Sequence, residues 1–160
     1  SKAEVGTTPL VGWLADQNHT VYVQREARRE IHSQANDLRN ALARGRPVTL
    51  FPEGTTSDGR GLLPFKQSLF ATLAPPPRPM MIQPVLLDFG ANGPDIAWLG
   101  EETGWESAWR AFTRPGSYDV DVHFLEPFDP GALADRKVVC ALARTRLAEA
   151  LSAKLGYSVT

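Results

Sequence analysis

Apolar and polar positions recur along the chain with two different periods. From Ala27 to Arg44, the residues Ala27, Ile31, Ala35, Leu38 and Leu42 return at steps of three and four, the spacing of one helix face. Arg28, Arg29 and Arg39 fall largely outside that stripe, and Gly45 supplies a helix stop. A longer helix is predicted over Ala134–Leu155, with Cys140, Ala143, Leu147, Leu151 and Leu155 along one stripe. Shorter helices are predicted at Pro9–Ala15, Phe65–Leu73 and Trp105–Phe112. Between them lie runs of strand character: Thr20–Val23, the more buried Pro47–Phe51, and Met80–Phe89 with an interruption at Pro84. Tyr118–Leu125 alternates polar and apolar residues, the mark of a half-exposed strand near a sheet edge. The run Ala74-Pro75-Pro76-Pro77-Arg78-Pro79 fits neither helix interior nor central strand, and reads as a stiff surface connector rather than a domain boundary. Alternation of strands and helices predicts a single α/β domain, with a mostly parallel or mixed sheet flanked by helices.

Composition narrows the function classes. The 160 residues, 42% hydrophobic and 22% charged, suit one soluble domain with a real core and argue against wholesale disorder. A net charge of -1 removes the basic excess of a general nucleic-acid binder. The single cysteine, Cys140, precludes an internal disulfide framework and fits a reducing compartment. No run approaches the roughly 18 apolar residues of a membrane helix. Ser1-Lys2-Ala3-Glu4-Val5 reads like the middle of a protein, so the chain is expected to be a piece of a longer one.

Candidate chemistry concentrates in Leu50-Phe51-Pro52-Glu53-Gly54-Thr55-Thr56-Ser57-Asp58-Gly59. A carboxylate, a glycine and three hydroxyls stand there at the end of a predicted strand, where ligands of open α/β sheets gather. Hydroxyls and glycine N–H groups suit an oxyanion such as phosphate. No Gly-Lys-Ser/Thr closes the loop, so it is not a nucleotide P-loop. On composition alone, a glycine-rich turn with a helix cap is the simpler reading. His32 and Asp37 have His-x4-Asp spacing but sit inside a predicted helix, roughly 140° apart around its axis. His19 has Gln24 at the corresponding position, and His123 sits on an alternating strand. Three scattered histidines and one cysteine predict no metal site. No Gly-x-Ser-x-Gly elbow marks a serine hydrolase.

Phe51-Pro52-Glu53-Gly54-Thr55 resembles the third sequence block of the lysophosphatidate (1-acylglycerol-3-phosphate) acyltransferase family. Other segments resemble it in order and spacing: Ser1–Val5 with Pro9–Gly12, Val21-Tyr22-Val23-Gln24-Arg25, Leu63-Pro64-Phe65-Lys66, Ile82-Gln83-Pro84-Val85, Trp98-Leu99-Gly100 and Glu126-Pro127. The resemblance implies a glycerolipid-acyltransferase-like fold over residues 1–160 and an O-acyl transfer from acyl-CoA or acyl carrier protein to a lysolipid, with no further cofactor. In such enzymes a His-x4-Asp box supplies the general base that deprotonates the acceptor hydroxyl. That box precedes the blocks found here, so the chain is expected to begin after it and to be inactive alone.

The same resemblance implies substrate contacts at Lys2, Arg25, Glu53, Gly54, Thr55, Thr56 and Lys66. Arg25 suits bidentate phosphate recognition, and Lys2 and Lys66 act as point charges. Glu53 accepts hydrogen bonds from acceptor hydroxyls or holds Arg25, and Gly54 lets the backbone approach the ligand. Many family members carry Arg where this chain has Thr56, and the change resembles relatives that acylate lyso-ornithine lipid. Implied partners are the lysolipid, the acyl donor and a membrane surface at the cytoplasmic face of a bacterial inner membrane, met through an expected N-terminal part or an apolar surface near Trp13 and Phe65. Nucleic acid is not among them, and self-association of the piece is expected. The implied acceptor is a lysolipid such as 1-acyl-glycerol-3-phosphate; a lyso-ornithine lipid acyltransferase, or a non-catalytic lipid- or phosphate-binding relative, is the alternative.

Overall fold

A computed structural model describes residues 31–98 and 102–159. The segments Pro9–Ala15 and Thr20–Val23, and the candidates Lys2, Trp13, His19 and Arg25, lie outside the described residues. The chain divides into two compact units, one of residues 1–50 with 76–78, the other of 51–75 with 79–160.

In the first unit, helix α1 spans Ile31–Ala43 and buries Leu38 and Leu42, as the stripe predicts. His32 and Asp37 both lie within it. Its end is a Schellman motif. Gly45 takes φ +78°, its N–H donates to the Leu42 carbonyl at 3.0 Å, and the Arg46 N–H donates to the Ala41 carbonyl at 3.3 Å. The Arg78 Nε also donates to the Leu42 carbonyl, at 2.8 Å, so an end carbonyl gains a charged partner.

The second unit is built on helix α4 (Arg136–Leu155). Asp135 caps it by accepting from the Lys137 and Val138 N–H groups at 2.6 and 3.1 Å, and Gly156 closes it at φ +75°. Its face of Val139, Cys140, Ala143 and Leu151 is buried, as are Phe70, Leu73 and Phe128. α4 packs on the 3-10 helix Gln67–Leu73 and on strand β1 (Val85–Asp88). Burial pushes the Cys140 thiol up, against the opposing pull of the Arg144 charge.

Strands β1 (Val85–Asp88) and β2 (Asp121–Phe124) form an antiparallel pair, with Val85 opposite Phe124 and Asp88 opposite Asp121. The pairing resumes beyond Pro84 as a bridge between Ile82 and Phe128. Pro84 has no N–H to give to a ladder, which is why the predicted Met80–Phe89 strand is cut there. Short helical turns at Gly90–Asn92 and α2 (Gly93–Ile96) lead to α3 (Gly104–Thr113).

The chain is thus mixed helix and sheet, but the expected parallel sheet is not among the described residues: the one sheet there is this antiparallel pair. Pro47–Phe51 carries no strand assignment. A strand exists only through a ladder partner, and this segment has none among the described residues. No helix among the described residues is long and apolar enough to cross a membrane.

Helix α3 is turned inside out. Its N-terminus is fixed by a capping box in which the Glu106 N–H donates to the Thr103 hydroxyl and the Thr103 N–H donates to the Glu106 carboxylate, at 3.3 and 2.8 Å. Ser107 is buried at 7% exposure, while Trp105, Trp109 and Phe112 are 68, 59 and 84% exposed. Arg110 holds the polar side inward with a two-pronged bond to Glu102 at 2.9 and 2.7 Å, and donates to the Ala97 carbonyl at 2.9 Å and to the Asp95 carbonyl.

Candidate functional site

The Phe51–Thr55 block folds as a turn followed by a closed loop. The Gly54 N–H donates to the Phe51 carbonyl at 3.0 Å, and the Lys66 N–H donates to the Pro52 carbonyl at 2.8 Å, which joins the two ends of the loop. Gly54 takes φ +70°, a left-handed conformation that a residue with a Cβ reaches only with strain. Glu53 reaches across the loop, and its Oε2 accepts from the Leu63 N–H at 3.1 Å. Local turns shape the tip: the Gly59 N–H donates to the Ser57 hydroxyl at 3.3 Å and the Arg60 N–H to Asp58 Oδ1 at 3.0 Å.

Two expected site residues meet here. The Lys66 side chain lies over Gly54, and a Cβ built on that glycine would meet Nζ at 2.7 Å. The ammonium makes no ion pair among the described residues. Thr55, beside it in sequence, is exposed. Thr56 does not join them: its hydroxyl donates to the Trp98 carbonyl. Lys2 and Arg25 lie outside the described residues.

Glu53 is half-buried, and burial pushes its carboxyl above the ordinary value. The Leu63 N–H and the charge of Arg144 pull it partly back. The sequence reading missed Arg144. The signal was present, because it follows Cys140 by four positions and so stands at the border of the predicted apolar stripe of α4. Its Nη2 donates to the Leu62 carbonyl at 3.4 Å.

A second polar cluster lies on the β-hairpin. Asp88, Asp121 and His123 bring ligand atoms within 4.8 Å of one another. The Lys154 ammonium pairs with both carboxylates, at 3.5 Å from Asp121 Oδ2 and closer to Asp88, so a positive charge is already in place. The sequence places His123 on an alternating strand. The structure places it opposite Leu86 on β1, with Nε2 buried and without a hydrogen-bond partner.

A model of the acyltransferase family matches residues 1–88. The chain is 38% identical over 169 aligned residues to a lyso-ornithine lipid O-acyltransferase of Rhizobium meliloti, an alignment covering 97% of this chain and 58% of that protein. A Brucella abortus protein of the same name is 35% identical over 91% of this chain and 58% of its own length. A 1-acyl-sn-glycerol-3-phosphate acyltransferase of Neisseria gonorrhoeae is 40% identical over 44% of this chain and 28% of its own. The chain therefore spans a little over half the length of the lyso-ornithine lipid relatives it matches. No solved structure matches it significantly.

Proposed function

The chain belongs to the acyltransferase family, and from that premise we propose that it is the acceptor-binding part of a lysolipid O-acyltransferase. The observation that carries this reading is the Lys66 ammonium, held over Gly54 beside Thr55 with no ion pair among the described residues. A cation over a left-handed glycine, with backbone close by, suits the anionic group of a lipid head. The reaction is attack of the acceptor hydroxyl on an acyl thioester, from acyl-CoA or acyl carrier protein. The hydroxyl proton passes to a general base and the thiol leaves. In the family that the sequence resembles, a His-x4-Asp box supplies this base.

The acceptor favoured is lyso-ornithine lipid. Its headgroup carries one carboxylate and one ammonium, and the site offers one of each opposite charge: Lys66 for the carboxylate, Glu53 for the ammonium. Thr56, where many phosphate-recognising members have Arg, is tied to the Trp98 carbonyl and adds no charge. The test is acyl transfer by the full-length protein to lyso-ornithine lipid and to lysophosphatidate. Lys66→Met is expected to raise KM for lyso-ornithine lipid by about tenfold or more, with kcat little changed, because a hydrogen bond to a charged group contributes about 1.5–3 kcal/mol. Faster transfer to lysophosphatidate would reverse the choice of acceptor, and an unchanged KM in Lys66→Met would remove Lys66 from the site.

A lysolipid acceptor is met at a lipid surface, and the outward stripe of Trp105, Trp109 and Phe112 supports docking there. The stripe is uncharged, and the charges behind it are internally matched, Arg110 by Glu102 and Arg114 by Asp95. A neutral aromatic face fits the lipid interface better than a charged protein partner. We place this docking at the cytoplasmic face of the bacterial inner membrane, where the acyl donors are.

A further inference from the structure

The loop that carries the candidate site is poorly held by its own packing. A Cβ built on Gly59 or on Gly61 would meet nothing within 4 Å. The bonds of Ser57 and Asp58 join residues two apart, so they bend the tip without anchoring it. Thr56 ties the early limb to the Trp98 carbonyl. The late limb, Arg60–Leu62, receives its ties from the far end of the chain. The Tyr157 hydroxyl donates to the Arg60 carbonyl at 2.8 Å, and Arg144 Nη2 donates to the Leu62 carbonyl at 3.4 Å. Leu63, next in sequence, gives its N–H to Glu53.

We infer that Arg144 and Tyr157 are positioning residues, which clamp the Gly54–Leu63 loop from helix α4 and the tail behind it and so set where Glu53 stands. Neither lies within residues 1–88, the part that the family model matches. The two ties act on alternate carbonyls of one limb, so the limb is held from outside the loop at both Arg60 and Leu62. Arg144 does more than tether: its positive charge also acts on the Glu53 carboxylate. The guanidinium is rigid and always charged, and one head can serve a carbonyl and a nearby carboxylate together. Gly156, left-handed at φ +75°, ends α4 immediately before Tyr157, so the turn that stops the helix also sends the phenol back toward the loop.

The consequence for acyl transfer rests on the function proposed above; the clamp itself does not. The experiment compares the full-length protein with its Tyr157→Phe, Arg144→Gln and Arg144→Lys variants, by amide hydrogen exchange over residues 54–63 and by KM and kcat for lyso-ornithine lipid. Expected in Tyr157→Phe and Arg144→Gln is exchange about tenfold faster across the loop, with a KM about three- to tenfold higher and kcat nearly unchanged. Arg144→Lys, which keeps the charge, is expected to recover most of the KM. Thermal midpoints close to that of the parent would separate this from general unfolding. Unchanged loop exchange in both variants overturns the clamp, whatever the activity. Faster exchange with KM unaltered overturns the positioning role. If the parent protein transfers no acyl group to any lysolipid, the proposed function fails, and the exchange data still decide whether the loop is clamped.

Discussion

The Lys66 ammonium lies over Gly54, in the space that a side chain at that position would take. Gly54→Ala therefore meets two obstacles, φ +70° and a Cβ that would stand 2.7 Å from Nζ and 2.9 Å from Cε. The lysine end is flexible and yields, so the backbone strain sets the energy. That strain is about 1–2 kcal/mol for a left-handed L-residue. A thermal unfolding midpoint roughly 2–8 °C below the parent is expected. The displaced ammonium should also raise KM for the lysolipid. An equal midpoint would mean that the turn is not left-handed at this position.

Glu53 is held at a cost that its neighbours reduce but do not remove. Burial raises its carboxyl above the ordinary 4.5, so the folded chain binds this proton more tightly than the unfolded chain does. Stability from this group therefore falls as pH rises from 4.5 through the higher folded value. Glu53→Gln keeps an oxygen for the Leu63 N–H and deletes the charge. The variant is expected to be at least as stable as the parent at neutral pH, with the difference vanishing in acid, while its KM for lyso-ornithine lipid rises. Thermal midpoints across pH measure the first part. A variant that is less stable at pH 7 but binds lysolipid normally would show a purely structural carboxylate.

How much of this was legible in the sequence depends on where the determining contact lies. Helix α4 and its buried face followed from the spacing of Cys140, Ala143 and Leu151, because a helix is closed by its own hydrogen bonds. The stop at Gly45 was visible for the same reason. Pairing is not local, and the expected parallel sheet gave way to one antiparallel ladder between β1 and β2 among the described residues. Glu53, Gly54 and Lys66 were found through family resemblance, yet the resemblance did not show that Lys66 folds back over Gly54. Tyr157 is 97 positions from the carbonyl it serves, and no period or motif announces such a contact. The orientation of α3 was also hidden, since its apolar stripe reads like any core-facing helix.

Lys154 links the end of α4 to both strands through Asp88 and Asp121. The Lys154 ammonium, then the Gly90 N–H, hold the Asp88 carboxyl below its ordinary 3.8. That contribution to stability is present above pH 3.8 and is lost as pH falls through the lower folded value. The same bond raises Lys154 above 10.5, so its contribution is present below that pH and is lost as pH rises through the higher folded value. Lys154→Met leaves two carboxylates facing each other across the ladder at Asp88 and Asp121. A midpoint lowered by a few degrees at pH 7 is expected, with the deficit shrinking below pH 3.8 as the Asp88 carboxyl takes its proton. A deficit that persists undiminished in acid would assign it to lost packing of the lysine stem.

The outward face of α3 gives the sharpest physical test of where the protein works. Exposed Trp105 and Trp109 rings stand stacked at 5.9 Å between centroids, with Phe112 one turn further along the same face. The helix cannot roll to bury them without withdrawing Arg110 from Glu102 and the Ala97 carbonyl. Burial of such side chains contributes about 1.5–3 kcal/mol each. The double change Trp105→Ser with Trp109→Ser is therefore expected to weaken binding of the full-length protein to phosphatidylcholine vesicles by at least about tenfold. Because Arg110 and Arg114 are paired with Glu102 and Asp95 and the stripe itself is uncharged, added salt should leave its share of the binding nearly unchanged. Glu106→Gln, on the same helix but off the stripe, is the control and should bind as the parent does. Cosedimentation with vesicles reads all three. If the double variant binds as tightly as the parent, the stripe is not the lipid contact, and its aromatic rings are covered by protein instead.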